Sequence, residues 1–436
     1  MRKCANSPIH AKNGKENEMV NSNGGSVLDV LINRGFIDSA VEDGKETFAV
    51  TNLDKTRALL DRGTTIYEGF DPSGSSLHLG HLLSLMALHY LQEAGSRIIF
   101  LLGGATGRVG DPTDKKSTRQ FLTAETVVKN AASIRKQVEG MGLLSFEEGK
   151  ALMLNNDSWI APETFLDFYM MEIARFFSVN ELVKMDTFRR RLVEGKHLSL
   201  MEFLYPTLQA WDFLHLYREY RCEIQVGGKD QWANILQGIS LIRAHGGQDV
   251  NVQGMTFPLL LTPSGEKMGK TEKGPLWLDP EMTSPFEFYQ YIEKTPDDMV
   301  GQLFKLFTFL DLEEIEGVMA GDSREAQKRL AFEVTKIVHG EEEAEKARRH
   351  SKTLFSRGNS ASVDVIPETV IKTSTTLDEV LVASGALTSR SEVRRRCAGG
   401  AIKIGGKKIT DPKTVISENC TIQYGKSSFL NVTFKE

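Results

Sequence analysis

The run RIIFLLGG at residues 97–104 is the tightest constraint in this sequence. From Ile98 to Leu102 every position is apolar, so as a strand the segment has no polar face and must be covered on both sides. Before it stand TTIYEGF (64–70), which reads as another strand, and HLLSLMALHYLQEAG (81–95), which reads as a buried helix. Strand, helix and strand at this spacing form a βαβ unit and imply an open α/β sheet of parallel strands. A further strand and helix follow in CEIQVGGKDQWANILQGISLI (222–242), again with a glycine pair just past the strand. In such sheets ligands sit outside the carboxyl ends of the strands. The segment FDPSGSSLHLGH (70–81) falls there.

Around this sheet the rest of the chain sorts by pattern. Residues 1–25 are polar, lack the apolar core of a secretory signal, and read as a disordered tail. Ser26 can cap a short helix with Val27, Leu28, Leu31 and Ile32 on one face and Gly35 as its stop. Residues 283–355 read as mostly helical, with charge-rich faces. The stretch 359–373, rich in Thr and Val around Pro367, reads as a linker, and 374–436 as a small basic domain punctuated by glycine. No apolar run approaches the roughly 20 residues that cross a bilayer as a helix. Cys4, Cys222, Cys397 and Cys420 are scattered, which fits neither a zinc site nor a disulfide framework and suits a reducing compartment. The net charge of −5 excludes a surface that coats nucleic acid everywhere, so any such contact must be a local basic patch.

Two short motifs carry chemistry. A strand-to-helix turn aims backbone N–H groups and the positive end of a helix at its ligand, which favours phosphate. His78 and His81, three apart at the helix start, can set two donors on one side of it, and Gly80 lets a flat base approach the backbone. Surface histidines or a metal site are the other readings, but no third ligand stands nearby in sequence. Later comes PSGEKMGKTEKG (263–274), where Lys267 and Lys270 bracket Met268 and Gly269. Two ammonium groups on a small-residue loop suit a triphosphate whose leaving group gains charge during attack at the α-phosphorus.

HLGH and KMGKT, in this order and well separated, resemble the paired HIGH and KMSKS signatures of class I aminoacyl-tRNA synthetases. With IYEGFDPSGSSLHLGH, GGATGRVGDPTDKKSTR, YPTLQAWDF and QVGGKDQWANI, the chain resembles bacterial-type tyrosyl-tRNA synthetases from about residue 26 onward. The resemblance implies a Rossmann-like catalytic domain over 26–258, a signature loop and helical tRNA-contacting domain over 259–358, and a homodimer. It implies that Tyr67 and Asp212 meet a phenolic hydroxyl, that Asp111, Tyr205 and Gln209 hold an amino group, and that Gln231 lies near the carboxylate or attacked phosphorus. Gly69, Asp71, Ser73, Gly80, Gly228 and Asp230 would serve ATP alongside His78 and His81. Lys115 and Arg119 would grip pyrophosphate together with Lys267, Lys270 and Thr271. ATP with Mg2+, L-tyrosine and tRNA(Tyr) are the implied substrates, with no tightly bound protein metal and no membrane contact. The expected compartment is the cytoplasm, with an organellar matrix as the other reading.

Independently of the family, Tyr205, Gln209 and Asp212 share one face of a helix. Flanked by Leu204, Leu208, Trp211, Phe213 and Leu214, that face reads as a pocket wall rather than a solvated stripe. Two residues depart from the family pattern. Glu68 stands where a small residue is usual, and is expected to point away and pair with a surface cation, with a ribose contact as the alternative; Lys229 stands where Ser is common. The basic patch lies at 389–413, where eight Lys/Arg face only Glu392 and Asp411. A helix bearing Arg394, Arg395 and Arg396, then a Gly-Gly hairpin with Lys403, Lys407 and Lys408, resembles the S-four RNA-binding fold. A tryptophanyl enzyme, a nucleotidylyltransferase and a non-catalytic RNA-binding relative are the rival readings.

Overall fold

The structure, a computed structural model, describes residues 25–42, 45–113, 122–271, 274–355, 368–371, 373–387, 389–425 and 429–434. These divide into two compact units at Arg348/Arg349. The expected tail, up to residue 24, lies outside the described residues.

The first unit opens with helix α1 (Val27–Arg34), where Ser26 Oγ accepts from the Leu28 N–H and Gly35, at φ 86°, ends the helix in the left-handed region. Its core is a parallel sheet. In chain order the strands are β1 (Thr65–Phe70), β2 (Arg97–Leu102), β3 (Ala151–Asn155), β4 (Cys222–Gly228) and β5 (Gln253–Phe257), and their spatial order is β3-β2-β1-β4-β5. Helix α2 (Leu79–Glu93) follows β1 and α3 (Ala124–Met141) follows β2. Ile66, Phe70, Ile98 and Phe100 join one core with residues of α2 and α3. Tyr67, Ile99 and Leu101 join another with α4 (Leu200–Tyr220) and α5 (Trp232–Gly246). Both faces of β2 are thus covered, which is why its sequence does not alternate. The strand order reverses between β1 and β4, the switch point at which such sheets open a crevice.

Past β5, strands β6 (Lys270–Thr271) and β7 (Gly274–Pro275) form a small hairpin. Helices α6 (Pro285–Glu293), α7 (Asp297–Phe307), α8 (Leu312–Met319), α9 (Ser323–His339) and α10 (Glu341–Phe355) bear out the helical reading of 283–355. Arg34 ties α1 to this layer: its guanidinium donates to the carbonyls of Lys305, Thr308 and Leu310 at 2.9, 2.6 and 3.0 Å. Those carbonyls lie at and beyond the end of α7, where backbone acceptors otherwise lack partners.

The second unit holds a five-stranded sheet of β8 (Glu368–Ile371), β9 (Lys403–Ile404), β10 (Lys407–Lys408), β11 (Cys420–Gln423) and β12 (Phe429–Phe434), in the spatial order β8-β12-β11-β9-β10. Helices α11 (Leu377–Ala383) and α12 (Arg390–Ala398) pack on it through Leu377, Leu381, Val393 and Cys397. The sequence reading of 359–373 as a linker takes in β8, which pairs in parallel with β12. Pro367 and the surrounding Ser and Thr residues suggest a break, but Thr369, Val370 and Ile371 are β-branched and find a partner strand about sixty residues later.

Candidate active site

The first turn of α2 fixes both histidines of HLGH. His78 is the N-cap, and its Nδ1 accepts from the Gly80 N–H at 3.1 Å. His81 Nδ1 accepts from the His78 N–H at 3.2 Å, and the two rings stack with centroids 3.8 Å apart. A neutral imidazole whose Nδ1 accepts carries its proton on Nε2. Burial holds both rings below the ordinary histidine range, His81 well below it. At neutral pH each therefore offers one N–H donor and no charge. Gly80 has a packing reason to be glycine: a Cβ there would stand 3.0 Å from His78 Cε1.

The KMGKT loop lies against the same turn. The Leu79 N–H donates to the Leu276 carbonyl at 3.0 Å, and the Gly269 N–H donates to the Tyr291 hydroxyl of α6 at 2.8 Å. Gly269 sits at φ 86°, where a Cβ would come 3.3 Å from that of Leu79. Lys267 Nζ is 3.4 Å from Asp230 Oδ2, just past β4.

Two polar networks meet behind these loops. Asp212 of α4 is 3% exposed; its Oδ1 accepts from Trp159 Nε1 and its Oδ2 from Asn156 Nδ2, both at 2.9 Å. Burial pushes its carboxyl up to about 7, against the pull of those two donors. Burial, and then the charge of Asp212, hold the Tyr67 phenol well above its ordinary value, and the Tyr67 hydroxyl has no hydrogen-bond partner among the described residues. From Asp212 the chain of bonds continues. Asn156 Nδ2 donates to Thr106 Oγ1, which donates to Asp71 Oδ1 at 2.7 Å, while the Tyr205 hydroxyl donates to Asp71 Oδ2 at 2.8 Å. In the other network Asn234 Nδ2 donates to the Oε1 atoms of Gln209 and Gln231, and Gln231 Nε2 donates to Asp111 Oδ2 at 2.6 Å.

One cavity of about 570 Å³ collects these groups. Of the residues singled out in the sequence, it is lined by Tyr67, Gly69, Asp71, Ser73, His78, Gly80, His81, Asp111, Tyr205, Gln209, Asp212, Gly228, Asp230, Gln231, Lys267 and Lys270. Thr271 is not among them; its hydroxyl donates to the Gly274 carbonyl in the β6–β7 hairpin. Lys115 and Arg119 lie outside the described residues. Glu68 corrects its expectation. It is 5% exposed, lines the cavity, and bonds to the Ser84 hydroxyl of α2 rather than to a surface cation. Lys229 instead makes the surface pair, with Asp38 at 2.9 Å.

Residues 60–356 match the family described as tRNA synthetases class I (W and Y), and residues 375–422 match the S4 domain. A tyrosine–tRNA ligase of Clostridium botulinum is 40% identical over 417 residues, 93% of this chain and 98% of that one. This chain belongs to the tyrosyl-tRNA synthetases. A second family member, the tyrosine–tRNA ligase of Acetivibrio thermocellus, is 42% identical over 393 residues, 88% of this chain and 92% of that one. Among solved structures, a C-terminally truncated mitochondrial tyrosyl-tRNA synthetase of Aspergillus nidulans superposes with a TM-score of 0.65 at 29% identity, covering 80% of this chain and all of that one.

Within this synthetase, sequence reasoning passed over Thr106, Asn156, Trp159 and Asn234. A signal for two of them was present: NNDSW (155–159) follows directly on the apolar β3, at the carboxyl edge where ligands bind. The glycines of GGATG also acquire a reason. A Cβ on Gly103 would stand 2.0 Å from Asp71 Oδ1, and one on Gly104 2.1 Å from Asn155 Oδ1. In the second unit Arg394, Arg395, Lys407 and Lys408 are exposed and Lys403 is half-buried. Arg396 is committed internally, donating to Glu392 Oε1 at 2.7 Å and to the Tyr424 carbonyl at 2.9 Å.

Proposed function

We propose that this chain is a tyrosine–tRNA ligase whose adenylation centre is the cavity at the β1/β4 switch point. In the first step a carboxylate oxygen of L-tyrosine attacks the α-phosphorus of ATP, the bond to the leaving pyrophosphate breaks, and tyrosyl-adenylate forms. In the second a hydroxyl of the 3′-terminal ribose of tRNA(Tyr) attacks the acyl carbon and AMP leaves. The carboxylate is already ionised at neutral pH, so the first step needs alignment and charge stabilisation rather than a protein base.

The observation that carries this reading is the buried Tyr67 hydroxyl, without a partner among the described residues, close to Asp212 in the cavity that also holds His78, His81 and Lys267. A phenol entering there donates to Asp212 and accepts from Tyr67, which completes both groups. Asp111, Tyr205 and Gln209 receive the ammonium group, with Gln231 toward the carboxylate. The Nε2 donors of His78 and His81 meet the phosphates. Lys267 and Lys270, with Lys115 and Arg119, take up charge developing on pyrophosphate. Gly69, Ser73, Gly80, Gly228 and Asp230 line the nucleoside part. Mg2+ enters with ATP, whose phosphates supply most of its ligands; among the described residues no group of three His, Cys, Asp or Glu is placed to cage an ion.

Arg394, Arg395, Lys407 and Lys408 grip tRNA phosphates. Phe165, Leu166, Met170 and Met171 form an exposed apolar patch that suits a homodimer contact. The proposed site of action is the cytoplasm; no helix of the described residues is long and apolar enough to cross a membrane. Exchange of labelled pyrophosphate into ATP, run with each of the twenty amino acids, tests the reading. Exchange that depends on L-tyrosine is expected; exchange with tryptophan and not tyrosine overturns it.

A further inference from the structure

HLGH and the signature loop share a brace that lies outside the cavity. Helix α3 carries two amide side chains, Asn130 and Gln137, seven positions apart and therefore on one face. Both bond to the backbone of the segment that leads from β1 into α2. Asn130 Nδ2 donates to the Pro72 carbonyl at 3.0 Å, and Gln137 Oε1 accepts from the Leu77 N–H at 2.8 Å. Leu77 is buried in the turn ahead of α2, where no strand or helix supplies its N–H with an acceptor, so a side chain has to. Gln137 Nε2 donates to the Ser76 hydroxyl at 3.1 Å. That hydroxyl, also buried, donates to the Leu77 carbonyl at 2.7 Å and accepts from the Asp279 N–H at 3.2 Å. A hydroxyl has one donor and two acceptor sites, and here all three are used.

The far side of this cluster is the stem of the signature loop. The Leu278 N–H donates to the Leu77 carbonyl at 2.9 Å, His78 and Trp277 face each other in an antiparallel bridge, and the Leu79 N–H reaches the Leu276 carbonyl. Leu276 in turn donates its N–H to the Gly269 carbonyl at 2.6 Å, inside KMGKT. Gln137 thus bonds to the junction from which both motifs depart. We propose that Gln137, acting through Ser76 and the Leu77 backbone, is a positioning residue for the activation step. It holds HLGH and the signature loop in one frame, so that the donors of His78 and His81 and the ammonium groups of Lys267 and Lys270 converge on one phosphate chain. The inference rests on the cavity being the adenylation centre. Ser76 and Leu77 line that cavity and Gln137 does not, so Gln137 acts only through them. The brace matters because the developing charge is met by groups on two segments far apart in sequence, and a displacement of about 1 Å between them is enough to slow the chemistry.

The test uses the full-length chain and follows adenylate formation in a single turnover at saturating tyrosine and ATP, with each rate normalised to the titrated active sites. Gln137→Met keeps the length and bulk of the side chain but neither hydrogen bond. It should slow the step by roughly tenfold or more and leave KM for tyrosine within about twofold, since Tyr67 turns to the core on the other face of the sheet. Gln137→Glu keeps the acceptor for the Leu77 N–H and should recover most of the rate. A purely structural role would lower the urea midpoint of Gln137→Met and leave its normalised rate at the wild-type value, and that result overturns the proposal. Should Gln137→Met fail to fold, Ser76→Ala serves instead, because it cuts the link to Asp279 while the Leu77 N–H stays bonded. A loss of about threefold is expected there, and an unchanged rate overturns the proposal equally. Tyrosine-dependent exchange by the wild type is measured alongside. Its absence overturns the adenylation reading, whereas its presence with unchanged variants overturns this inference alone.

Discussion

Each buried polar side chain in the cavity has an electrostatic state that a single substitution should move in a known direction. Glu68 keeps its proton in the native state up to about pH 8, against about 4.5 when unfolded. Between those values the native state holds the extra proton, so this residue makes stability fall as pH rises. Glu68→Gln removes the dependence. Its urea midpoint should therefore gain on that of the wild type between pH 5 and 8, and an unchanged difference across that range would show that Glu68 ionises normally. Trp159 acts on Asp212 with the opposite sign, because its indole N–H favours the ionised carboxylate. Trp159→Phe should raise the Asp212 pKa further and shift the acid limb of kcat/KM for tyrosine to higher pH. A profile that superposes on the wild type would remove Trp159 from that role. Tyr67→Phe deletes one of the two groups assigned to the phenol. The gap between tyrosine and phenylalanine in kcat/KM should narrow by roughly 1 to 3 kcal/mol, measured in side-by-side exchange assays.

Elements differ in how much of their role is visible in sequence. HLGH was legible because its residues act within one helical turn, where His78, Gly80 and His81 hold each other. Asn156 was not, since what gives it meaning is Asp212, 56 positions on. Likewise β8 was hidden because its partner strand, not its own composition, makes it a strand. In the signature loop, Gly269 is where the backbone takes a conformation that L side chains avoid. Gly269→Ala should slow single-turnover adenylate formation by roughly tenfold or more while tyrosine affinity moves little, since strain at φ 86° displaces Lys267 and Lys270. An unchanged single-turnover rate would mean that the loop tolerates the side chain by shifting Leu79.

At the scale of the whole molecule, the division at Arg348/Arg349 separates the residues assigned to adenylation from the basic patch. A chain ending at Phe355 should still make tyrosyl-adenylate but charge tRNA(Tyr) poorly. Its tRNA affinity should also depend less steeply on salt, because each lost phosphate contact removes a counterion-release contribution. Undiminished charging at physiological salt would make the patch a solvated face. The sheet carries a different kind of consequence. Thr64, just before β1, bonds to Glu223 on β4 across 159 positions of sequence, and the same pairing of β1 with β4 sets Tyr67 beside Gln225. Bringing such distant segments together costs more loop entropy than folding neighbouring helices, and contacts of this range form slowly. The pocket proposed for tyrosine straddles that seam. During refolding from urea, tyrosine binding should therefore return with the slowest phase, after most of the helical signal has recovered, so that the chain regains its shape well before it regains its substrate.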